Sequence, residues 1–300
     1  MKPLRTEIAN DLSLSRIIHG HWRLADWKLT TTQCVELIHF CIDMGITTID
    51  TADIYGNYTC EGLFGNALKS EPSLRNKIEI VTKCGIKLTG EKFPDRNIKT
   101  YDYSAEYIVR CVDNSLKELG TDFIDLLLLH RPSPLINPYE VSKAFDALHD
   151  SGKVRHFGVS NFTPMQFEML KSNVHVPLVT NQVEISPLCL EHFENGNMDY
   201  FVKTGLKPMS WSPLAGGRIF NAESNQDLLK QMKNICKELN VQNIDSLCYA
   251  WLLHHPVGIL PVIGSHKFDR IKSAVDALSL DITDEQWFRI YIAAAGNELP

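Results

Sequence analysis

The feature of this 300-residue sequence that most restricts its fold is a repeated alternation of short apolar runs with longer stretches of helical periodicity. Strands are expected at about 16–20, 47–49, 78–82, 123–129, 156–159, 178–183, 206–211 and 259–263, each followed by a helical stretch or a loop. The run 123–129 shows no alternation, as expected of a parallel strand covered on both faces. Cys34, Leu37, Ile38 and Cys41 make one helical stripe that Gly45 ends. Ile108, Cys111, Val112, Ser115 and Leu119 make another that Gly120 ends, and Val141, Ala144, Phe145 and Leu148 a third. Thr163 and Pro164 read as an N-cap and first helical position, and Thr283 with Gln286 as a capping box for a C-terminal helix. Segments 91–103 and 216–225 read as loops. No composition break or low-complexity linker divides the chain, so residues 1–300 read as one domain. Eight strand–helix repeats in one α/β domain of this length favour a (β/α)8 TIM barrel with a C-terminal helix over an open doubly wound sheet. No GxGxxG follows any expected strand, which further weakens the open-sheet alternative.

Composition narrows the function by exclusion. Thirty Lys and Arg against thirty-six Asp and Glu give a net charge of −6, which argues against nucleic acid or an anionic membrane as partner. No apolar run approaches the roughly 18 residues of a membrane span, and the first residues carry no secretory core. Eight cysteines are scattered without a CxxC pair and read as reduced, mostly packed thiols. A cytoplasmic protein with no obligate protein partner is the expectation. His19 with His21 and His254 with His255 lack the carboxylate or cysteine companions of a zinc site, so no metal is expected. Neither GxxxxGK[ST] nor GxSxG is present, leaving nucleotide and serine hydrolysis unsupported.

In such a barrel the catalytic groups sit where the strands end, at the C-terminal face. Asp50, Tyr55, Lys83 and His130 all follow or close expected strands. Singly, Asp50 reads equally as a loop cap and Tyr55 as a packed aromatic, and His130 more readily as a structural imidazole. Together they make sense. A nearby ammonium stabilises phenolate and so lowers a phenol's pKa, and a carboxylate keeps that ammonium charged and oriented. Tyr55 is then a general acid for a forming alkoxide, with His130 positioning a carbonyl oxygen. A lyase or aldolase using Lys83 as a Schiff base is an alternative, as is a non-catalytic cofactor-binding module.

The segments around these residues resemble the aldo-keto reductase family. The likeness begins with Gly45-Ile-Thr-Thr-Ile-Asp-Thr-Ala-Asp-Ile-Tyr-Gly56. It continues through Val81-Thr-Lys83, Leu129-His130-Arg131, Gly158-Val-Ser-Asn-Phe162, Thr180-Asn-Gln-Val183 and Trp211-Ser-Pro-Leu214, in family order, and spans Gly20 to Arg270. The resemblance implies an NADPH-dependent reductase of small-molecule aldehydes or ketones, with Asp50, Tyr55, Lys83 and His130 as its tetrad. It implies that Ser160, Asn161 and Gln182 bond the nicotinamide carboxamide and that Trp211 stacks on the ring. Ser212, Leu214, Gly216 and Arg218 would follow the pyrophosphate of NADPH (NADP+), and Ser265, Lys267 and Arg270 would meet the 2′-phosphate. Trp22 and Tyr58 either line a substrate pocket or merely cover the barrel mouth. Two places depart from the family pattern. Ser273 and Ala274 stand where an acidic residue and an Asn or Gln are usual, and His21 stands where a small hydroxyl residue is common.

Overall fold

A computed structural model describes residues 3–299. Eight parallel strands close into a barrel: β1 (Ile18–Gly20), β2 (Thr48–Asp50), β3 (Glu79–Cys84), β4 (Ile124–Leu129), β5 (Val154–Ser160), β6 (Leu178–Glu184), β7 (Met209–Trp211) and β8 (Leu260–Ile263). Each strand pairs with its neighbours in sequence, and β8 returns to β1 through Val262 opposite Ile18 and Ile263 opposite His19. All eight overlap the segments expected from the sequence; β1 and β7 are shorter than expected, while β2, β3, β5 and β6 run past the expected bounds. All of β4 is buried: Leu126 and Leu128 join the barrel interior, while Leu127 and Leu129 pack against the helices outside. This is why its sequence shows no alternation.

The helices begin and end where local chemistry directs. Thr30, Thr163 and Thr283 each form a capping box, with Gln33, Gln166 and Gln286 respectively. Gly120 ends the helix Ala105–Leu119 in the left-handed conformation that glycine adopts without penalty. The C-terminal helix Asp284–Ala295 is fastened to Ile244–His254 by an indole pair. Trp251 and Trp287 stack at 4.9 Å, and each indole N–H donates to the other residue's carbonyl at 3.1 Å.

Three pieces were not legible beforehand. An antiparallel hairpin, Arg5–Ala9 with Leu12–Ser15, precedes the barrel. Its Leu12 and Leu14 pack against Ile18, Val81, Leu126, Val179, Met209 and Leu260, plugging the interior from the end where the strands begin. Each such buried leucine contributes about 1.5–3 kcal/mol. Ile86–Lys87 pairs in a small antiparallel ladder with Thr100–Tyr101, which lies within the segment read as loop. Segment 216–225 likewise opens with a short 3-10 stretch, Ala215–Phe220. Among the described residues the hairpin thus seals the barrel at the end where its strands begin.

Candidate active site

Strand ends bring the expected tetrad together. Asp50 closes β2, Lys83 lies one residue from the end of β3, and His130 follows β4 with its N–H bonded to the Cys84 carbonyl at 3.0 Å. Tyr55 begins the turn Tyr55–Tyr58. The Lys83 ammonium donates at 2.8 Å to both Asp50 carboxylate oxygens, at 2.8 Å to the Thr51 carbonyl and at 3.1 Å to the Tyr55 hydroxyl. The Lys83 and Asp50 side chains are buried. The Tyr55 and His130 rings meet edge-on at 5.8 Å.

Burial alone would lower the Lys83 pKa, but the facing Asp50 carboxylate, then Tyr55, outweigh it and hold the ammonium above its ordinary range. Lys83 is therefore a fixed positive charge, which disfavours its use as a Schiff-base nucleophile. The expectation for Tyr55 needs correcting. Lys83 does pull its pKa down, but burial, aided by the Asp50 charge, is larger, and the phenol lies above its usual value of 10.0. Tyr55 is thus fully protonated near neutrality. It gives up its proton only to something as basic as an alkoxide, and Lys83 then stabilises the phenolate left behind. Burial, and next the Lys83 charge, push His130 well below 6.5, so its imidazole is neutral; its Nδ1 is buried without a partner.

The turn carrying Tyr55 is strained. Gly56, Asn57 and Tyr58 all have positive φ, which is unusual for an aromatic residue. The insertion after β3 holds it there. The Tyr58 hydroxyl accepts from the Leu88 N–H at 2.9 Å and from Arg96 at 3.0 Å, and Lys92 reaches the Tyr58 carbonyl at 2.9 Å. Tyr58 thus fastens this turn to the insertion, and Trp22 is more than half exposed.

A second polar group lies beside the tetrad. Asn161, at φ 64°, donates to the Ser160 hydroxyl at 2.7 Å and accepts from the Trp211 indole at 2.9 Å. Ser160 donates to the Gln182 carbonyl at 2.9 Å. The Gln182 amide nitrogen donates to Asp50 at 2.8 Å, a link the sequence reading did not anticipate. Beyond Trp211, left-handed backbone at Ser212, Ala215, Gly216 and Gly217 turns the chain along the rim past Leu214, and Arg218 pairs with Glu184 at 3.6 Å. After β8, His19 donates to the Ser265 carbonyl at 2.9 Å, while Lys267 and Arg270 are exposed with no ion-pair partner among the described residues. A half-buried indole at one end and unpaired cations at the other suit an aromatic ligand with a phosphate tail.

The two departures from pattern are explained by burial. The Ser273 hydroxyl bonds Asp245 at 2.9 Å and Ser246 at 2.6 Å, and Ala274 is fully buried, so neither faces a ligand. His21 packs edge-on against Phe64 at 4.7 Å, outside the barrel wall, with both ring nitrogens unpartnered. Cys84, beside Lys83, is no reactive thiol: burial pushes its pKa far up. Arg131, which the sequence reading left unassigned, stands next to His130 with its guanidinium 5.4 Å from the Trp211 ring. Its position directly after a strand-end histidine was the available signal. Among the described residues no helix is long and apolar enough to cross a membrane.

Comparison with known proteins agrees with this geometry. Residues 16–294 match the aldo/keto reductase family. The chain is 47% identical to Oxidoreductase YdhF of Escherichia coli (strain K12) over 95% of both chains. It is 44% identical to the 6-dehydroglucose reductase of Agrobacterium fabrum (strain C58 / ATCC 33970), over 98% of this chain and 99% of that one. The crystal structure of the thermostable aldo-keto reductase Tm1743, with inhibitor epalrestat, superposes with a TM-score of 0.82 at 25% identity, covering 97% of this chain and all of that one.

Proposed function

The chain belongs to the aldo/keto reductase family and is an NAD(P)H-dependent oxidoreductase acting on carbonyl compounds; within that family, we propose that it prefers NADPH and uses Tyr55 as the acid that protonates the carbonyl oxygen. The observation that carries this reading is the Lys83 ammonium, shared between the Asp50 carboxylate and the Tyr55 hydroxyl. NADPH, when bound, supplies the hydride. As negative charge builds on the substrate oxygen, Tyr55 donates its proton, and Lys83 meets the resulting phenolate with a charge already in place. Asp50 keeps Lys83 oriented and charged, and Gln182 steadies Asp50 from across the barrel. Neutral His130 directs an N–H at the same oxygen without competing for its proton.

Ser160, Asn161 and Gln182 would hold the nicotinamide carboxamide, with Trp211 against the ring. Ser212, Leu214, Gly216 and Arg218 would flank the pyrophosphate, and Ser265, Lys267 and Arg270 the 2′-phosphate. Trp22 stands where incoming substrate would pass. We take residues 1–300 as one catalytic domain. A relative named as a 6-dehydroglucose reductase places sugar-derived carbonyls in the assay panel.

The test is a fluorescence titration of Trp211 with NADPH and NADH, together with turnover of an aldehyde panel by wild type and Tyr55→Phe. Tyr55→Phe should lose about 100- to 10,000-fold in kcat and keep its NADPH affinity. Unchanged turnover in that variant would eliminate Tyr55 as the acid. Equal affinity for the two dinucleotides would eliminate the phosphate preference.

A further inference from the structure

Arg131 is built into the mouth with unusual care for a residue that the tetrad does not use. Its backbone is clamped on both sides by one side chain: the Tyr103 hydroxyl donates to the Arg131 carbonyl at 2.5 Å and accepts from the Arg131 N–H at 3.1 Å. Tyr103 is itself buried, and its ring occupies the space over Gly85 that any side chain there would need. The guanidinium so positioned lies 5.4 Å from the Trp211 ring, with neither a hydrogen bond nor an ion pair among the described residues. Its charge reaches Tyr55, His130 and Glu184.

The carboxylates near this edge are already matched. Glu184 pairs with Arg218 at 3.6 Å, and Asp102 with Lys87 at 3.3 Å. Lys99, exposed on the insertion after β3, adds a second unpaired cation whose charge also reaches His130. An acidic protein thus presents uncompensated positive charge beside its proton donor. A guanidinium already resting on an indole is half desolvated and still has its planar fork of donors free, which suits a carboxylate bound by two parallel hydrogen bonds.

We propose that Arg131 anchors the carboxylate of the substrate, so that the site takes aldehydes or ketones bearing an acid group a few carbons from the carbonyl. The proposal rests on the reductase reading above and names its substrate class. The anchor would fix the carbonyl oxygen between Tyr55 and His130 through the far end of the molecule.

The experiment compares three aldehydes of similar length: succinic semialdehyde, which carries a carboxylate; glyceraldehyde, which carries hydroxyls; and pentanal, which carries neither. Wild type should favour succinic semialdehyde over pentanal by about 10- to 100-fold in kcat/KM, the worth of a charge-assisted pair. Arg131→Met should abolish that preference, chiefly through a raised KM for succinic semialdehyde; Arg131→Lys should recover part of it. Wild type without a preference for the acid, or a preference that survives in Arg131→Met, overturns the proposal. So does a preference for glyceraldehyde that Arg131→Met removes, since that assigns the guanidinium to hydroxyls. Wild-type turnover of pentanal reports on the reductase reading separately: pentanal reduced without any wild-type preference for the acid sinks only the anchor.

Discussion

Replacing Glu61 by Gln should stabilise this protein at alkaline pH and do little in acid. Glu61 is buried behind the site on helix Cys60–Ser70, where its oxygens accept from the Thr82 hydroxyl at 2.6 Å and the Ser115 hydroxyl at 2.9 Å. Burial pushes its pKa from 4.5 up to about 7, against the pull of those two hydroxyls. A folded-state value above the unfolded one means that folding is favoured while the group stays protonated. Below 4.5 both states hold the proton and the carboxyl contributes no pH dependence. As pH rises toward 7 the unfolded chain releases its proton and the folded chain resists, so stability falls. The gap corresponds to about 3 kcal/mol, all of it lost above pH 7. A glutamine fits the same two hydroxyls, accepting from one and donating to the other, and has nothing to ionise. Asp53 nearby is also pushed up, by burial first and the Glu61 charge next; the variant keeps the burial part and loses the part due to Glu61. Urea midpoints of wild type and Glu61→Gln across this range provide the assay. Their difference should open from near zero in acid to about 3 kcal/mol at alkaline pH. Parallel profiles would refute the claim that Glu61 is forced to carry a proton into the fold.

Gly85→Ala should cost about 3 kcal/mol or more, because φ there is 108° and the new methyl would lie 2.0 Å from the Tyr103 ring. A urea midpoint within error of wild type would contradict that. Arg270→Met should weaken NADPH binding by about 10- to 100-fold and leave NADH binding unchanged, as read by fluorescence titration. Equal weakening of both dinucleotides would place Arg270 away from the 2′-phosphate.

Barrel strands were readable because a parallel strand covered on both faces must be apolar throughout, as Ile124–Leu129 is, and helices because threonine caps such as Thr163 announce themselves. The tetrad was readable for a related reason. A lysine at the end of an apolar strand is tolerable only with a partner, and Asp50 stood at the end of the strand before it. The amino-terminal hairpin escaped notice because its first strand, Arg5–Ala9, is half polar and only partly buried. Tyr58 and Arg131 resisted assignment for a different cause. Their roles depend on where a long insertion folds back, through Arg96 onto Tyr58 and through Tyr103 onto Arg131, and no local spacing encodes that return. Burial also reversed one inference: proximity to Lys83 suggested a lowered phenol pKa, but the cost of enclosing Tyr55 is greater.

The seam between Val262 and Ile18 joins strands that lie far apart in the sequence. During synthesis the first strand must therefore wait, one edge bare, until Leu260–Ile263 has been made. A nascent chain stalled before residue 260 offers that edge to any neighbouring strand, a direct route to aggregation.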